Sequence, residues 1–211
     1  MPFTETLLAD IQKTSVPEWI AVSCGVLYVI LAAYRKIACW FFGLISSGIY
    51  VYLCFKSNLL IETGLQIFYI FMSVYGWISW HKQTSRAIKM RSIQFHLMAL
   101  SLGLVIAFAL GFTFDKFTHQ ESAYLDASIA TFSLVATFMT ANRVLENWIY
   151  WIVVDAAAIF LYGWQGLALS ALLYLTFTFM AIYGLVQWSK EYRKQKEEQD
   201  QIEFLKNKLN S

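Results

Sequence analysis

The chain has 211 residues, of which 58% are hydrophobic, 18% aromatic and only 14% charged, against roughly 25% charged in a soluble domain. With a mean hydropathy of +0.52, water is excluded as its main solvent. The formal net charge of +2 decides little alone, since the distribution of charge orients a membrane protein; no nucleic-acid partner is expected.

Residues 1–16 read as an extracytoplasmic leader. A cleaved signal begins with a basic region, whereas the stretch up to Trp19 carries Glu5, Asp10 and Glu18 against Lys13 alone. Leu7, Leu8 and Ile11 fall on one side of a possible helix, suited either to the membrane interface or to a terminus without a role. A bilayer core needs about 20 apolar residues per helix, and seven segments supply them: 17–34, 37–55, 59–80, 95–113, 125–142, 145–163 and 166–188. The runs are continuous, as in LMALSLGLVIAFALGF, without the alternation of a barrel strand. The expected fold is therefore an all-α integral membrane protein. Pro2 and Pro17 interrupt no span, so proline kinks are not expected.

Cys24, Cys39 and Cys54 stand in separate spans without metal-ligand spacing. They are expected to be packing residues, and neither a metal nor a cofactor is expected. The tail, 189–211, is charged, with Ile202, Leu205 and Leu209 at i, i+3, i+7. It reads as a solvated helix, with a contact in an oligomer as the alternative.

The connections alternate in charge. One side of the membrane receives Arg35 and Lys36, then His81, Lys82, Arg86, Lys89 and Arg91, then Arg143, then the tail. The other receives the leader, Lys56, the mixed loop with Asp115, Lys116, His119 and Glu121, and the Gly163 to Gly166 turn. By the positive-inside rule the first side is cytoplasmic, with the N-terminus outside and the C-terminus inside.

Two phrases, YGWISW at 75–80 and YGLVQW at 183–188, close distant spans in nearly the same words. Setting Trp40 on Trp148, an offset of 148 − 40 = 108, places Trp80 on Trp188, Gly76 on Gly184, Tyr75 on Tyr183, Met72 on Met180 and Arg35 on Arg143 without a gap. The chain is therefore expected to duplicate a three-helix unit: a first bundle over 17–80, connecting loops and a linker helix over 81–123, and a second bundle over 124–188. One linker helix makes the repeats parallel, with a pathway between the bundles near the midplane.

Ionisable and polar groups inside spans are costly and so are functional candidates. In the third span Glu62, Gln66, Tyr69 and Ser73 share one helical face. Their repeat mates are Ser170, Tyr174, Phe177 and Ala181, a more apolar and aromatic set. In the sixth span Asn147, Trp151 and Asp155 follow i, i+4, i+8, with Trp148 beside them. A carboxylate near two tryptophans suits a flat cation, through counter-charge and ring quadrupole. The competing reading makes Asp155 a hydrogen-bonding link between helices. Trp40, Trp77, Trp80 and Trp188 lie near span ends and are expected to be interface anchors. No hydrolase, P-loop or zinc motif occurs, and His81, His96 and His119 pair with no carboxylate at a recognisable spacing. No enzyme is expected.

GLISSGIYVYL, LQIFYIFMSVYGW and ENWIYWIVVD, within a likeness running from Glu18 to Trp188, resemble the bacterial Pnu vitamin transporters. One departure is CWFFG, where many relatives carry a proline after the Trp. The resemblance implies a SWEET-like 3+1+3 fold of seven transmembrane helices, often trimeric, in the bacterial inner membrane. It implies facilitated diffusion of an unphosphorylated vitamin, trapped inside by a cytoplasmic vitamin kinase. Carried onto this chain, the substrate-binding positions are Gln66, Tyr69, Trp77, Asn147, Trp148, Trp151, Asp155 and Tyr174, with Glu62 and Ser73 as weaker candidates. Nicotinamide riboside is the first expectation and thiamine the alternative, because both carry a flat cationic ring. Phosphorylated substrates are disfavoured, since no span holds an interior Lys or Arg. A membrane scaffold or channel is the competing class, although no ring of like charge or filter loop is visible.

Overall fold

A computed structural model describes residues 3–57, 60–82, 87–118 and 122–209; Arg86, His119 and Glu121 lie outside the described residues. Eight helices occur among them: α1 (Phe3–Lys13), α2 (Val16–Ala33), α3 (Ala38–Lys56), α4 (Leu60–Lys82), α5 (Ile93–Thr118), α6 (Ala123–Ala141), α7 (Asn147–Trp164) and α8 (Ala168–Leu209). The start of α2 is set locally. Ser15 accepts from the Glu18 amide at 3.4 Å, the Glu18 carboxylate accepts from the Ser15 amide at 2.6 Å, and Pro17 fits the first turn.

Five helices, α2, α3, α5, α6 and α8, are long and apolar enough to cross a membrane. Outside that set stand α4 and α7, the helices that carry Gln66 and Asp155. The surface has the pattern expected for lipid as solvent: Phe71, Leu102, Val105, Phe108, Phe160 and Phe179 face outward. Small and polar side chains such as Ala127, Ser133, Ala136, Thr137 and Ala158 are buried between helices, where they allow close backbone approach.

The helices α2, α3, α4, α6, α7 and α8 form a closed ring, each packed on the next and α8 packed back on α2. Helix α5 packs on the outside of α6, and α1 rests on α8, where the Asp10 carboxylate accepts from the Leu169 amide at 3.2 Å and caps α8. The final helix is one element of 42 residues. At 1.5 Å per residue it is about 60 Å long, roughly twice the hydrocarbon thickness, so the charged tail continues α8.

The two halves match at the 108-residue offset. Arg35 and Arg143 both adopt φ +55°. Each ends a helix in a Schellman motif: Arg35 N–H donates to Ala32 and Lys36 N–H to Leu31, as Arg143 does to Thr140 and Val144 to Met139. A left-handed non-glycine residue costs on the order of 1 kcal/mol, and each arginine has a compensating contact. Arg35 meets Glu191 at 2.9 Å, while Arg143 donates to the Trp80 carbonyl at 3.1 Å and lies over the Trp80 ring. Both reach the end of the third helix in the opposite half.

Tryptophans complete the match. Trp80 Nε1 donates to the Ala141 carbonyl and Trp188 Nε1 to the Ala33 carbonyl, each at 3.1 Å, satisfying carbonyls orphaned at helix ends. Trp40 meets Trp80 edge-on at 5.5 Å, and Trp148 meets Trp188 edge-on at 5.6 Å. A Cβ on Gly76 would collide with the Trp40 ring, and one on Gly184 with the Trp148 ring. The repeated Tyr-Gly therefore exists to let a tryptophan of the preceding helix lie flat against backbone. Trp40, Trp80 and Trp188 are buried: the interface-anchor expectation fails for these three because their partners come from the other helices of the ring.

Candidate functional site

The centre of the ring is lined from several helices. Asp155 of α7 is 2% exposed. Tyr69 of α4 lies beside Ser133 of α6 and within electrostatic reach of Asp155 and Tyr162. Tyr174 of α8 stacks on Tyr162 with ring centres 5.2 Å apart and also neighbours Tyr69 and Asp155. Tyr28 of α2 approaches Tyr69, and its buried hydroxyl has no hydrogen-bond partner. Among the described residues Asp155 has no ion-pair partner. The arrangement is a buried carboxylate with Tyr69 and Tyr174 within electrostatic reach, a chemistry that attracts a flat cation.

The structure thus brings Tyr69, Asp155 and Tyr174 together. Gln66 is half-buried one turn from Tyr69, and Ser73 is buried beside Gly43 and Tyr28. Trp151 is half-buried and donates to Thr140 Oγ1 at 3.3 Å. Asn147 is fully buried and fixed: its Oδ1 accepts from Thr140 at 3.0 Å, and its Nδ2 donates to the Val144 carbonyl at 2.6 Å. Trp148 is 2% exposed and packed between Gly184 and Trp188. Trp77 is 41% exposed, and Glu62 is exposed.

Sequence reasoning passed over Ser133 and Tyr162. Tyr162 was accessible, since it follows Asp155 by seven residues and shares its helical face. Ser133, Thr137 and Thr140 form a hydroxyl stripe on α6 at i, i+4, i+7, visible only as a departure from an otherwise apolar span.

The lining is asymmetric where the scaffold is symmetric. Trp40, Gly76 and Trp80 repeat as Trp148, Gly184 and Trp188, but Asp155 falls on Ser47, Trp151 on Gly43, Tyr69 on Phe177 and Tyr174 on Gln66. The packing is duplicated while the lining has diverged.

Two grooves lie away from Asp155. One of about 370 Å³ follows the α2–α8 seam along Val29, Tyr34, Met180 and Tyr183. The other, about 420 Å³, lies among α5, α6 and α7. The three cysteines are free, and among the described residues no group of three or more His, Cys, Asp or Glu gathers to hold a metal. One expectation about histidines is corrected: His96 Nε2 stands 3.5 Å from Glu146 Oε1. Their separation of 146 − 96 = 50 positions in sequence concealed the pair, because it joins the first turn of α5 to the cap of α7.

Comparison with known proteins places this geometry in context. The family described as Nicotinamide mononucleotide transporter matches residues 15–190. The nicotinamide riboside transporter PnuC of Escherichia coli K12 is 26% identical over 205 residues, covering 83% of this chain and 86% of that protein. The riboflavin/roseoflavin transporter RibM of Streptomyces davaonensis is 25% identical over 149 residues, covering 67% and 70%. A crystal structure of the vitamin B3 transporter PnuC shares the fold, with a TM-score of 0.71 at 22% identity, covering 91% of this chain and 88% of that one.

Proposed function

Because the chain belongs to the nicotinamide mononucleotide transporter family, and is therefore a membrane transporter and not an enzyme, we propose that its cargo is nicotinamide riboside. The observation that carries this reading is Asp155, a buried carboxylate within electrostatic reach of Tyr69 and Tyr174, with Tyr162 stacked on Tyr174, and without an ion-pair partner among the described residues. A buried charge of this kind needs a counter-charge, and the pyridinium of the riboside supplies it. Gln66, Ser133 and Trp151 complete the proposed contacts, with Ser73 at the edge. Asn147 and Trp148 frame the α7 face that carries them. Trp77 and Glu62, both exposed, stand outside the proposed site.

The unphosphorylated form is favoured. A phosphate would meet the Asp155 carboxylate, while Arg143 is engaged by Trp80 at one end of the ring. The proposed architecture is seven transmembrane helices as parallel 3+1+3 repeats of the SWEET-like kind, with α2–α4 and α6–α8 as the bundles and α5 as the linker. The repeated arginine turns and tryptophan pairs support it. The basic connections support a cytoplasmic location for the Arg35 and Arg143 end in the bacterial inner membrane, with the N-terminus outside. Transport is proposed to be facilitated diffusion from a homotrimer, drawn forward by a cytoplasmic kinase that phosphorylates the product.

Titration of the purified protein by intrinsic Trp fluorescence, with nicotinamide riboside, thiamine and nicotinamide mononucleotide side by side, tests the reading. Saturation by the riboside alone supports it. Saturation by thiamine alone replaces the substrate, and silence from all three points to another vitamin.

A further inference from the structure

The groove among α5, α6 and α7 lies outside the ring, so it is separate from the proposed cargo site. Helix α5 packs along α6 and reaches α7 through His96, whose Nδ1 is 3.2 Å from the Tyr150 hydroxyl. Beyond that contact the helices leave a cavity of about 420 Å³ walled by Leu100, Phe132, Ile149, Val153 and Ala157. It opens onto the apolar outer surface, since Leu100, Ile149 and Val153 are exposed.

One end of the groove is polar. Glu146 Oε1 accepts from the Arg91 amide at 3.0 Å. Its other oxygen, Oε2, is buried without a hydrogen-bond partner, while His96 Nε2 stands 3.5 Å from Oε1. An orphaned carboxylate oxygen beside an apolar cavity lacks a donor. The exposed guanidinium of Arg91, over the Phe95 ring at 5.4 Å, stands at the same end and offers the opposite charge. Anion and cation therefore flank the mouth of a channel sized for hydrocarbon.

We propose that this groove is a binding site for a zwitterionic aminophospholipid: an acyl chain lies along Phe132, Val153 and Ala157, the ammonium donates to Glu146, and the phosphate meets Arg91. An anionic lipid without an ammonium leaves Glu146 Oε2 orphaned. The site would keep α5 fixed to the ring from the lipid side.

Native mass spectrometry of the full chain, extracted from mixed micelles containing dioleoyl phosphatidylethanolamine or dioleoyl phosphatidylglycerol, tests this directly. One phosphatidylethanolamine per chain should be retained, with about tenfold preference over phosphatidylglycerol, as one charge-assisted hydrogen bond provides. Glu146→Gln should abolish the preference, and Ala157→Phe should expel the lipid by filling the groove. Val153→Trp repeats that test from the exposed rim, so a misfolded Ala157→Phe does not decide it. Equal retention of both lipids, or undiminished retention with a filled groove, overturns the proposal. Dissociation of an oligomer on filling, without lipid loss, overturns it in favour of a second copy of the chain.

Discussion

Asp155 was conspicuous in the sequence because a carboxylate inside an apolar span needs a reason, and Gln66, Tyr69 and Trp151 followed from helical spacing. Tyr162 shares the Asp155 face of α7 and was open to the same reasoning, but the contribution of Ser133 depends on which faces of α4, α6 and α7 turn together, and no single-helix pattern carries that. Trp148 illustrates the limit. It lies on the face that holds Asp155, yet its ring rests against Gly184 of a different helix. Two predictions belong at this scale. Asp155→Asn should weaken binding of nicotinamide riboside by at least about tenfold, from loss of a charge contact at an effective dielectric near 20. The uncharged reduced riboside should lose much less, as titration of both ligands would read; equal losses would make Asp155 a structural link. Gly184→Ala should destabilise the protein by about 1–3 kcal/mol, as overpacking does, visible as lower thermal stability in detergent. An unchanged melting temperature would mean that the Trp148 ring has room to move.

At the scale of elements, the helices were readable from continuous apolar runs, and YGWISW and YGLVQW mark residues whose packing admits little substitution. The order of the ring was not readable, since every span is apolar and the seams rest on a few polar contacts between residues distant in sequence. Tyr34 and Tyr183 join α2 to α8 with hydroxyls 2.6 Å apart, while the Tyr75 hydroxyl donates to Asn142 across α4 and α6 at 3.1 Å. These pairs are repeat mates, 34 with 142 and 75 with 183 at the 108-residue offset. Together with the Arg35–Glu191 pair they tie the two halves at the basic end. If the bundles rock as bodies, these ties are what opens. Tyr34→Phe and Tyr75→Phe, each removing about 1 kcal/mol of hydrogen bonding, should alter the transport rate several-fold with little change in substrate affinity. Counterflow and equilibrium binding on the same variants separate the two quantities, and a shift in affinity alone would remove the ties from the gate.

For the whole molecule, composition indicates an apolar solvent and the basic connections set an expected orientation, while the 108-residue offset relates distant segments in one frame. Within that frame the packing repeats and the lining does not: the second half places Asp155 and Trp151 where the first has Ser47 and Gly43. A charge present once, inside a ring otherwise lined by tyrosine and hydroxyl groups, can hold a cation without trapping it as a pair of carboxylates would. If the carrier works by facilitated diffusion, as proposed, it needs no coupling ion and its direction follows consumption of the cargo inside.

Uptake of labelled nicotinamide riboside into proteoliposomes, with no sodium, proton or voltage gradient, tests that claim most directly. The predicted result is saturable entry to equal concentrations on both sides, competed by unlabelled riboside and not by nicotinamide mononucleotide. Accumulation that requires an imposed gradient, or entry that the mononucleotide competes equally, would contradict it.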